Sequence, residues 1–130
     1  MRLPLVAAAV MAALAAPAAP AAAQQAGALQ CAGTEPFWGL TITATAMWFT
    51  DHDEKRTDLV LVTPRNAIGR TPDALRIYQT RRAKDGAAVT LVVKRNYESC
   101  TDNMSDKEYA YDAIYITPEG VYDGCCSRTK

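Results

Sequence analysis

Side chains that could do chemistry are concentrated in two short segments of the sequence. The first runs from Cys31 to Trp38 and joins a carboxylate to two large aromatic side chains, and the second runs from Cys100 to Asp106 and is rich in side-chain oxygens. Carboxylates beside an aromatic ring place hydrogen-bond acceptors next to an apolar surface, which suits a sugar face or a basic protein surface. The candidate binding residues are Glu35, Phe37, Trp38, Asp102, Ser105 and Asp106.

The same residues allow other interpretations. One aromatic ring would instead close the end of a small barrel, with Glu35 hydrogen-bonded near the second segment, because large aromatic side chains dominate small cores. A hydrolase would use Glu35 with Asp102 or Asp106, since a pair of carboxylates can cleave a glycosidic bond. Calcium fits less well, because the segment lacks an EF-hand spacing that ends in Glu. Asp102 is also placed to cap a single helical turn, by accepting from the amide of Met104 or Ser105.

Other catalytic signatures are missing from the sequence. It contains neither a Gly-x-Ser-x-Gly elbow nor a phosphate-binding glycine loop. The one histidine, His52, stands between Asp51 and Asp53 in a predicted turn, and no nucleophile stands out to complete a triad. Zinc is disfavoured, because no Cys-x-x-Cys pair accompanies this single histidine. These observations predict no catalytic residue, no metal and no cofactor, and they favour a non-enzymatic protein.

The four cysteines predict two disulfide bridges. Cys125 and Cys126 are adjacent, so a bridge between them would strain the peptide that joins them. Adjacent residues of a strand point to opposite faces, and each of the two therefore reaches a different partner, Cys31 or Cys100. Both pairings remain open on this argument. We favour Cys31–Cys126, which ties the two ends of the domain together, with Cys100–Cys125.

The N-terminal segment has the three parts of a secretory signal peptide. Arg2 supplies a positive charge, Leu3 to Leu14 is almost wholly apolar, and a run of small residues ends at Ala23. The apolar run is too short to span a bilayer core of ~30 Å. We predict a signal peptide over residues 1–23, cleaved after Ala23, then a flexible leader over residues 24–30 and a single domain over residues 31–130.

The residues before Cys31 and the charge of the chain limit the compartments and the partner classes that we expect. Bulky Gln30 precedes Cys31 where a lipoprotein signal needs a small residue, so we do not expect a lipid anchor. With 14 Lys and Arg against 14 Asp and Glu, the chain has no excess of positive charge to attract nucleic acid. The sequence predicts a periplasmic or secreted protein that has no membrane span and no nucleic-acid partner.

Strands are the elements predicted to position these residues. No long segment of the predicted domain has a helical period, whereas apolar residues recur with period two in several runs. The predicted strands are Leu40–Trp48, Leu59–Val62, Leu75–Thr80, Ala88–Val93, Tyr109–Thr117 and Val121–Tyr122. Turn signals such as Asp85-Gly86 and Glu119-Gly120 join them. We predict an all-β domain, a meander of about six antiparallel strands closed into a small barrel or compact sandwich.

The two segments resemble the motifs of a poorly characterised family of bacterial envelope proteins. Cys31-Ala32-Gly33-Thr34-Glu35-Pro36-Phe37-Trp38 is similar to its Cys-x-Gly-x-Glu-Pro-Phe-Trp opening. Cys100-Thr101-Asp102-Asn103-Met104-Ser105-Asp106 is similar to its Cys-Ser-Asp-Gly-Met-Ser-Asp segment, and Gly124-Cys125 to its terminal Gly-Cys. Asn103 replaces the glycine of the pattern, and asparagine tolerates a left-handed backbone almost as well. The likeness brackets nearly the whole predicted domain.

The resemblance implies a binding or accessory role without a settled activity. The family occurs near, or fused to, small envelope β-domains that look like the c-type lysozyme inhibitor or the META domain. We therefore expect an exported, non-enzymatic domain that binds an envelope protein or a glycan, with a c-type lysozyme as one implied partner. The alternatives are a purely structural accessory and the small hydrolase. Because the predicted bridges draw both segments towards the last strand, Glu35, Trp38, Asp102 and Asp106 are expected to lie close together.

Overall fold

The structure is a computed structural model that describes Pro4, Ala9 and residues 11–17 and 27–129. Most of the predicted signal peptide, residues 1–23, and its cleavage site lie outside the described residues. The folded part begins earlier than the predicted boundary at Cys31. Leu29 and Gln30, which we assigned to a leader, open the first strand, because Leu29 is fully buried between its pairing partners Ile42 and Arg128.

Nine strands make up the described part of the chain, and no helix occurs in it. They are β1 Leu29–Thr34, β2 Phe37–Ile42, β3 Met47–Thr50, β4 Arg56–Leu59, β5 Arg65–Asn66, β6 Leu75–Arg81, β7 Ala88–Thr101, β8 Glu108–Thr117 and β9 Gly120–Arg128. All form one antiparallel sheet in the order β4-β3-β2-β1-β9-β8-β7-β6-β5. The predicted all-β, antiparallel class is therefore confirmed. No helix of the described ranges has the length and apolarity to cross a membrane.

The sheet curls into a half-barrel, and its two sides meet where β4 reaches β6. A bridge pairs Leu59 with Arg82, and the amide of Val60 donates to the carbonyl oxygen of Arg81 at 3.0 Å. The amide of Ala83 donates to the carbonyl oxygen of Asp58 at 2.9 Å. One strongly curved sheet replaces the two packed sheets of the sandwich alternative, and it satisfies backbone groups that an open edge would leave unpaired.

Alternate residues of the long strands fill the inside of the half-barrel. On β8, Tyr111, Ala113 and Tyr115 are almost fully buried, whereas Ile114 and Ile116 are 41% and 42% exposed. This is the period-two pattern of a strand with one face on the core. The remaining core side chains come from every other strand except β5: Leu29, Cys31, Trp38, Leu40, Ile42, Met47, Phe49, Leu59, Tyr78, Val89, Leu91, Val93 and Cys126.

The prediction of a single strand over Leu40–Trp48 was wrong. The chain reverses after Ile42, because the Thr43 hydroxyl accepts from the Ala46 amide at 3.0 Å while the Thr43 amide donates to the Ala46 carbonyl at 2.9 Å. The reversal puts Met47 on the buried face and leaves Trp48 partly exposed, where the guanidinium of Arg56 stacks on it at 4.1 Å. The alternation of apolar and hydroxyl residues continues through the turn, so the sequence pattern alone did not reveal the reversal.

The strand count of about six was also too low. Besides the β2–β3 hairpin, β1 and β5 were not predicted, and only Leu59 of the predicted strand Leu59–Val62 lies in a strand, β4. These elements are short and carry few apolar residues, so their strand form depends on neighbours distant in sequence. The predictions for β6, β8 and the Asp85-Gly86 turn are confirmed, with Gly86 at φ 72° in the β6–β7 hairpin.

Two disulfide bridges are present, and they are the favoured pairing. Cys31–Cys126 lies inside the half-barrel between the paired strands β1 and β9. Cys100–Cys125 joins β7 to β9 across β8, on the outer face. Adjacent cysteines on β9 thus face opposite sides of the sheet, as the argument from strand geometry required.

Candidate functional site

A groove of about 690 Å³ lies on the outer face of β7, β8 and β9. Its floor consists of outward-facing side chains of three paired strands. Val92 pairs with Ile114, which pairs with Asp123, and the neighbouring row pairs Lys94 with Asp112. Because the residues between them face the core, these five side chains are directed to the outside.

The wall of the groove is the last part of β7 together with the segment that follows it. Pairing between β7 and β8 is interrupted between Arg95 and Cys100, where the register shifts. Such irregularities bend a strand and redirect its side chains. Cys100 is then fixed to Cys125 by the disulfide, so residues 99–104 stand beside the floor and line the groove.

The turn at Asp102 is held by its own side chain. The Asp102 Oδ1 accepts from the amides of Met104 at 3.0 Å and Ser105 at 2.9 Å, and the Ser105 hydroxyl donates to Oδ2 at 2.9 Å. The Met104 and Ser105 amides, followed by the Ser105 hydroxyl, hold the pKa of Asp102 below its usual value. The predicted capping contacts are therefore confirmed, although the residues bend without completing a helical turn. Asn103 has a positive φ of 59°, which fits asparagine in place of glycine.

The end of the groove is the β1–β2 turn, which contains Gly33, Thr34 and Glu35. Glu35 and Pro36 are the two turn residues between the paired residues Thr34 and Phe37, and the Glu35–Pro36 peptide is cis. The Thr34 hydroxyl donates to the carbonyl oxygen of Asp102 at 3.0 Å. The two segments that sequence analysis singled out are therefore in contact. The contact is made by the Thr34 hydroxyl and not by the Glu35 carboxylate, which one interpretation of the sequence placed in a hydrogen bond near the second segment.

Negative charge predominates in the groove. Four carboxylates line it, from Glu35, Asp102, Asp112 and Asp123, against the single ammonium group of Lys94. Asp112 is partly satisfied by the Asn96 amide, whose Nδ2 donates to it at 3.2 Å. Within the described residues, the carboxylates of Glu35 and Asp123 accept no side-chain hydrogen bond and form no ion pair. They are therefore available to a cationic ligand.

Trp38 does not belong to this groove. Its side chain is 5% exposed and packs in an aromatic cluster with Phe49, Tyr115 and Tyr122, at centroid distances of 6.3, 6.4 and 5.8 Å. The indole Nε1 donates to the carbonyl oxygen of Asp123 at 3.2 Å. Trp38 therefore closes one end of the half-barrel. This is the role given to an aromatic ring in the structural interpretation of the sequence, in place of contact with a ligand. Phe37 points to the opposite face and is 59% exposed, outside the groove lining.

Two glycines make the position of the indole possible. A Cβ at Gly33 would overlap the Trp38 ring, and a Cβ at Gly124 would overlap the Ala32 carbonyl and lie 2.9 Å from the Trp38 Cζ2. A side chain at either place requires the backbone or the indole to move. Trp38 and both glycines belong to the recognised segments, so this part of the resemblance has a structural role.

The candidate residues thus separate in the structure, and only two of the six line the groove. Glu35 and Asp102 line the groove, Ser105 supports its wall through Asp102, and Trp38 is buried in the core. Asp106 is exposed and does not line the groove, so only Glu35 and Asp102 of the four residues expected to lie close together share the lining. No group of three or more His, Cys, Asp or Glu residues in the described ranges is arranged to hold a metal ion.

Sequence analysis missed the floor of the groove, which includes Val92, Lys94, Asp112, Ile114 and Asp123. One signal was available on β8, where inward Tyr111, Ala113 and Tyr115 alternate with Asp112, Ile114 and Ile116. Isoleucines on the solvent face of a strand are candidates for a contact surface. The complete floor depends on the pairing of three strands, which local pattern does not specify.

Comparisons with known proteins leave the function to be argued from this geometry. No protein-family model matches the chain. No curated protein and no solved structure matches it significantly. The family resemblance drawn from the two segments stays a prediction.

Proposed function

We propose that this protein is an exported, non-enzymatic binding domain that holds a cationic, partly apolar segment of a partner protein in the outer groove. The observation that carries the proposal is the charge of the lining, four carboxylates against one lysine, beside the apolar side chains of Val92 and Ile114. Opposite charge steers a partner to such a surface and fixes its orientation, while apolar contact supplies much of the affinity.

An apolar strip extends the groove along the same face. Ile114 in the floor neighbours Ile116, which pairs with Val121, and their exposed fractions are 41%, 42% and 66%. Exposed apolar side chains in a contiguous strip, next to charged residues, are typical of protein interaction sites. The strip therefore favours a macromolecular partner over a small polar solute.

Rigid construction supports a binding role as well. The floor is a three-stranded part of the sheet, and the wall is tied to it by the Cys100–Cys125 bridge and by the hydrogen bond from Thr34 to Asp102. A site that is already ordered loses less conformational freedom when its partner binds. The two bridges are also compatible with an oxidising compartment, as export requires.

A lysozyme-inhibitor-like role is the concrete version of this proposal. A c-type lysozyme is a basic partner, in keeping with the acidic groove and with the envelope neighbourhood that the resemblance implies. The hydrolase has less support, because Asp102 is occupied by two backbone amides and a hydroxyl and its pKa is lowered. An ionised carboxylate could act only as the nucleophile or base of a glycosidase, and the oxygens of Asp102 already accept these three hydrogen bonds.

Binding of a c-type lysozyme and of a lysine-rich amphipathic peptide tests the proposal. The variant with both Glu35→Gln and Asp123→Asn should bind at least one of them about tenfold more weakly than the wild type, since two unpaired carboxylates are lost. The wild-type affinity should also fall as salt is added. Isothermal titration calorimetry at low and moderate ionic strength measures both effects.

A matched control removes acidic charge elsewhere. Asp53 lies in the turn before β4, its side chain is 73% exposed and it does not line the groove, so Asp53→Asn should keep the wild-type affinity. If Asp53→Asn weakened binding as much as the groove variant, the loss of affinity would reflect only the net charge of the protein and not the groove. If neither the lysozyme nor the peptide binds the wild type, the proposed function is wrong.

A further inference from the structure

The end of the half-barrel away from the aromatic cluster contains a second group of polar side chains. Along β8, Tyr111 precedes Tyr115 of the aromatic cluster by four residues, a distance of roughly 13 Å in a strand. Around Tyr111 lie one carboxylate and three guanidinium groups. We call this set the arginine cluster, and its members are Asp73, Arg76, Arg95, Tyr111 and Arg128.

Asp73 is the centre of the arginine cluster. Its Oδ1 accepts from the hydroxyl of Tyr111 and from Nη2 of Arg128, and Nη2 of Arg76 lies 3.5 Å from the same oxygen. Its Oδ2 accepts from Nη1 of Arg95 at 3.2 Å. The guanidinium carbons of Arg76 and Arg95 stand 5.8 and 5.4 Å from the Tyr111 ring centroid. The three guanidinium groups are therefore held close to one another.

The charges of the arginine cluster do not balance. Three guanidinium groups face one carboxylate, and arginine keeps its proton in proteins. Two positive charges therefore remain uncompensated within the described part of the cluster. The side chain of Arg76 is 4% exposed, so water can solvate its charge only poorly. Burial of a charge is unfavourable unless it is paired and hydrogen-bonded.

Hydrogen-bond donors in the same place also lack partners. Nη1 of Arg76, Nε of Arg95 and the hydroxyl of Tyr78 are buried and have no hydrogen-bond partner among the described residues. Tyr78 lies two residues from Arg76 on the same face of β6 and is fully buried. Buried donors are ordinarily satisfied by protein, water or a ligand. Free donors beside excess positive charge favour an anion as the missing partner.

We propose that the arginine cluster binds a phosphate group, either as the free ion or as a phosphate monoester. Phosphate carries a charge between −1 and −2 near pH 7, close to the excess in the cluster, and its oxygens accept from the planar fork of arginine. The side chains of Asp73, Arg95 and Arg128 are 34%, 36% and 58% exposed, so a small anion in solution can reach the cluster, in which Arg76 is the buried member. This site is separate from the acidic groove and does not depend on its function.

Thermal unfolding in the presence of phosphate tests the proposal. Inorganic phosphate and glycerol phosphate are titrated in parallel, with chloride at matched ionic strength as the reference. A ligand that binds the folded state raises the midpoint along a saturating curve, from which a dissociation constant follows. Saturation by inorganic phosphate identifies the free ion, and saturation by glycerol phosphate alone identifies a monoester.

Variants connect the effect to the cluster. Arg128→Gln removes a largely exposed guanidinium and should weaken phosphate binding about tenfold, the effect of one charge-assisted hydrogen bond. Arg95→Gln should also weaken phosphate binding, so the proposal can still be tested if one of the two variants does not fold. Arg56→Gln is the control, because Arg56 pairs with Asp58 on β4 and has no contact with the cluster. The proposal would be overturned if the thermal midpoint rose linearly with phosphate concentration without saturating, or if phosphate raised it equally in Arg128→Gln and Arg56→Gln.

Discussion

The replacement Trp38→Ala distinguishes a structural indole from a binding indole. The structure places this side chain at 5% exposure among Phe49, Tyr115 and Tyr122, and gives its Nε1 a hydrogen bond to the Asp123 carbonyl. Truncation would leave a cavity between the aromatic rings and β1. The cavity cannot be filled from the sheet, because Gly33, the neighbour on β1, has no side chain.

The magnitude follows from these contacts. Buried Trp or Phe replaced by Ala typically costs 3–5 kcal/mol, and a lost hydrogen bond adds ~1 kcal/mol. We expect the free energy of unfolding to fall by ~4–6 kcal/mol, a large part of the ~5–15 kcal/mol of a typical domain. Urea unfolding followed by circular dichroism measures it, since loss of stability lowers the midpoint at an unchanged slope.

Phe37 supplies the matched control. It is also aromatic and adjacent in sequence, yet 59% exposed on the other face of β2, so Phe37→Ala should cost less than ~1 kcal/mol. A Trp38→Ala protein with a nearly unchanged midpoint would refute the reasoning. It would also restore the interpretation in which Trp38 is exposed and contacts a partner.

Three further predictions concern the walls of the groove. Cys100→Ala combined with Cys125→Ala should lower the free energy of unfolding by about 3 kcal/mol, since the bridge closes a loop with a sequence separation of 25; an unchanged denaturation midpoint would contradict this. Gly124→Ala should be strongly destabilising in a thermal melt, because its Cβ would overlap the β1 backbone, whereas Gly120→Ala, with nothing within 4 Å, should be neutral. The backbone amides of Met104 and Ser105 lower the pKa of Asp102 in the folded state, so the ionised side chain stabilises the fold above the unfolded pKa of ~3.9, and this stabilisation is lost as the pH falls through the folded pKa. Asp102→Asn should therefore make the free energy of unfolding depend less on pH in the acid range. An unaltered pH dependence would show that the turn is not held by this charge.

Local pattern predicted the parts of the fold in which one strand carries its own signal. In β8, the buried side chains of Tyr111, Ala113 and Tyr115 recur with period two, and the turn at Glu119-Gly120 follows directly. The opposite orientation of adjacent residues on β9 excluded a Cys125–Cys126 bridge and left two pairings open. The choice between these two rested on a bridge that ties the ends of the domain together. These predictions needed no information about distant strands.

Prediction failed where a short polar contact outweighed the local pattern. Thr41, Thr43 and Thr45 continue the alternation of β2, so the sequence resembles one long strand. In the structure the Thr43 hydroxyl accepts from the Ala46 amide, which competes with strand pairing and reverses the chain. The face of every residue after the turn changes as a result, so Trp48 does not share the face of Leu40 and Ile42 as it would in a single strand.

The candidate site was predicted in part for a similar reason. Glu35 and Asp102 were found because they belong to recognisable segments, and both line the groove. Asp112 and Asp123 have no local motif, and they come together only because β8 pairs with β9 in one particular register. The bend in β7 that raises the wall likewise depends on the bridge from Cys100 to a residue of the last strand.

The residues that carry the family resemblance are mainly those that hold one end of the half-barrel together. Gly33 and Gly124 leave the space that Trp38 fills, and the two bridges fix the strands beside it. Substitution of any of them disturbs packing, so such a motif indicates a fold more directly than a ligand. The exposed floor of the groove is free of that constraint, because Lys94 or Ile114 can change without filling a cavity or breaking a bridge.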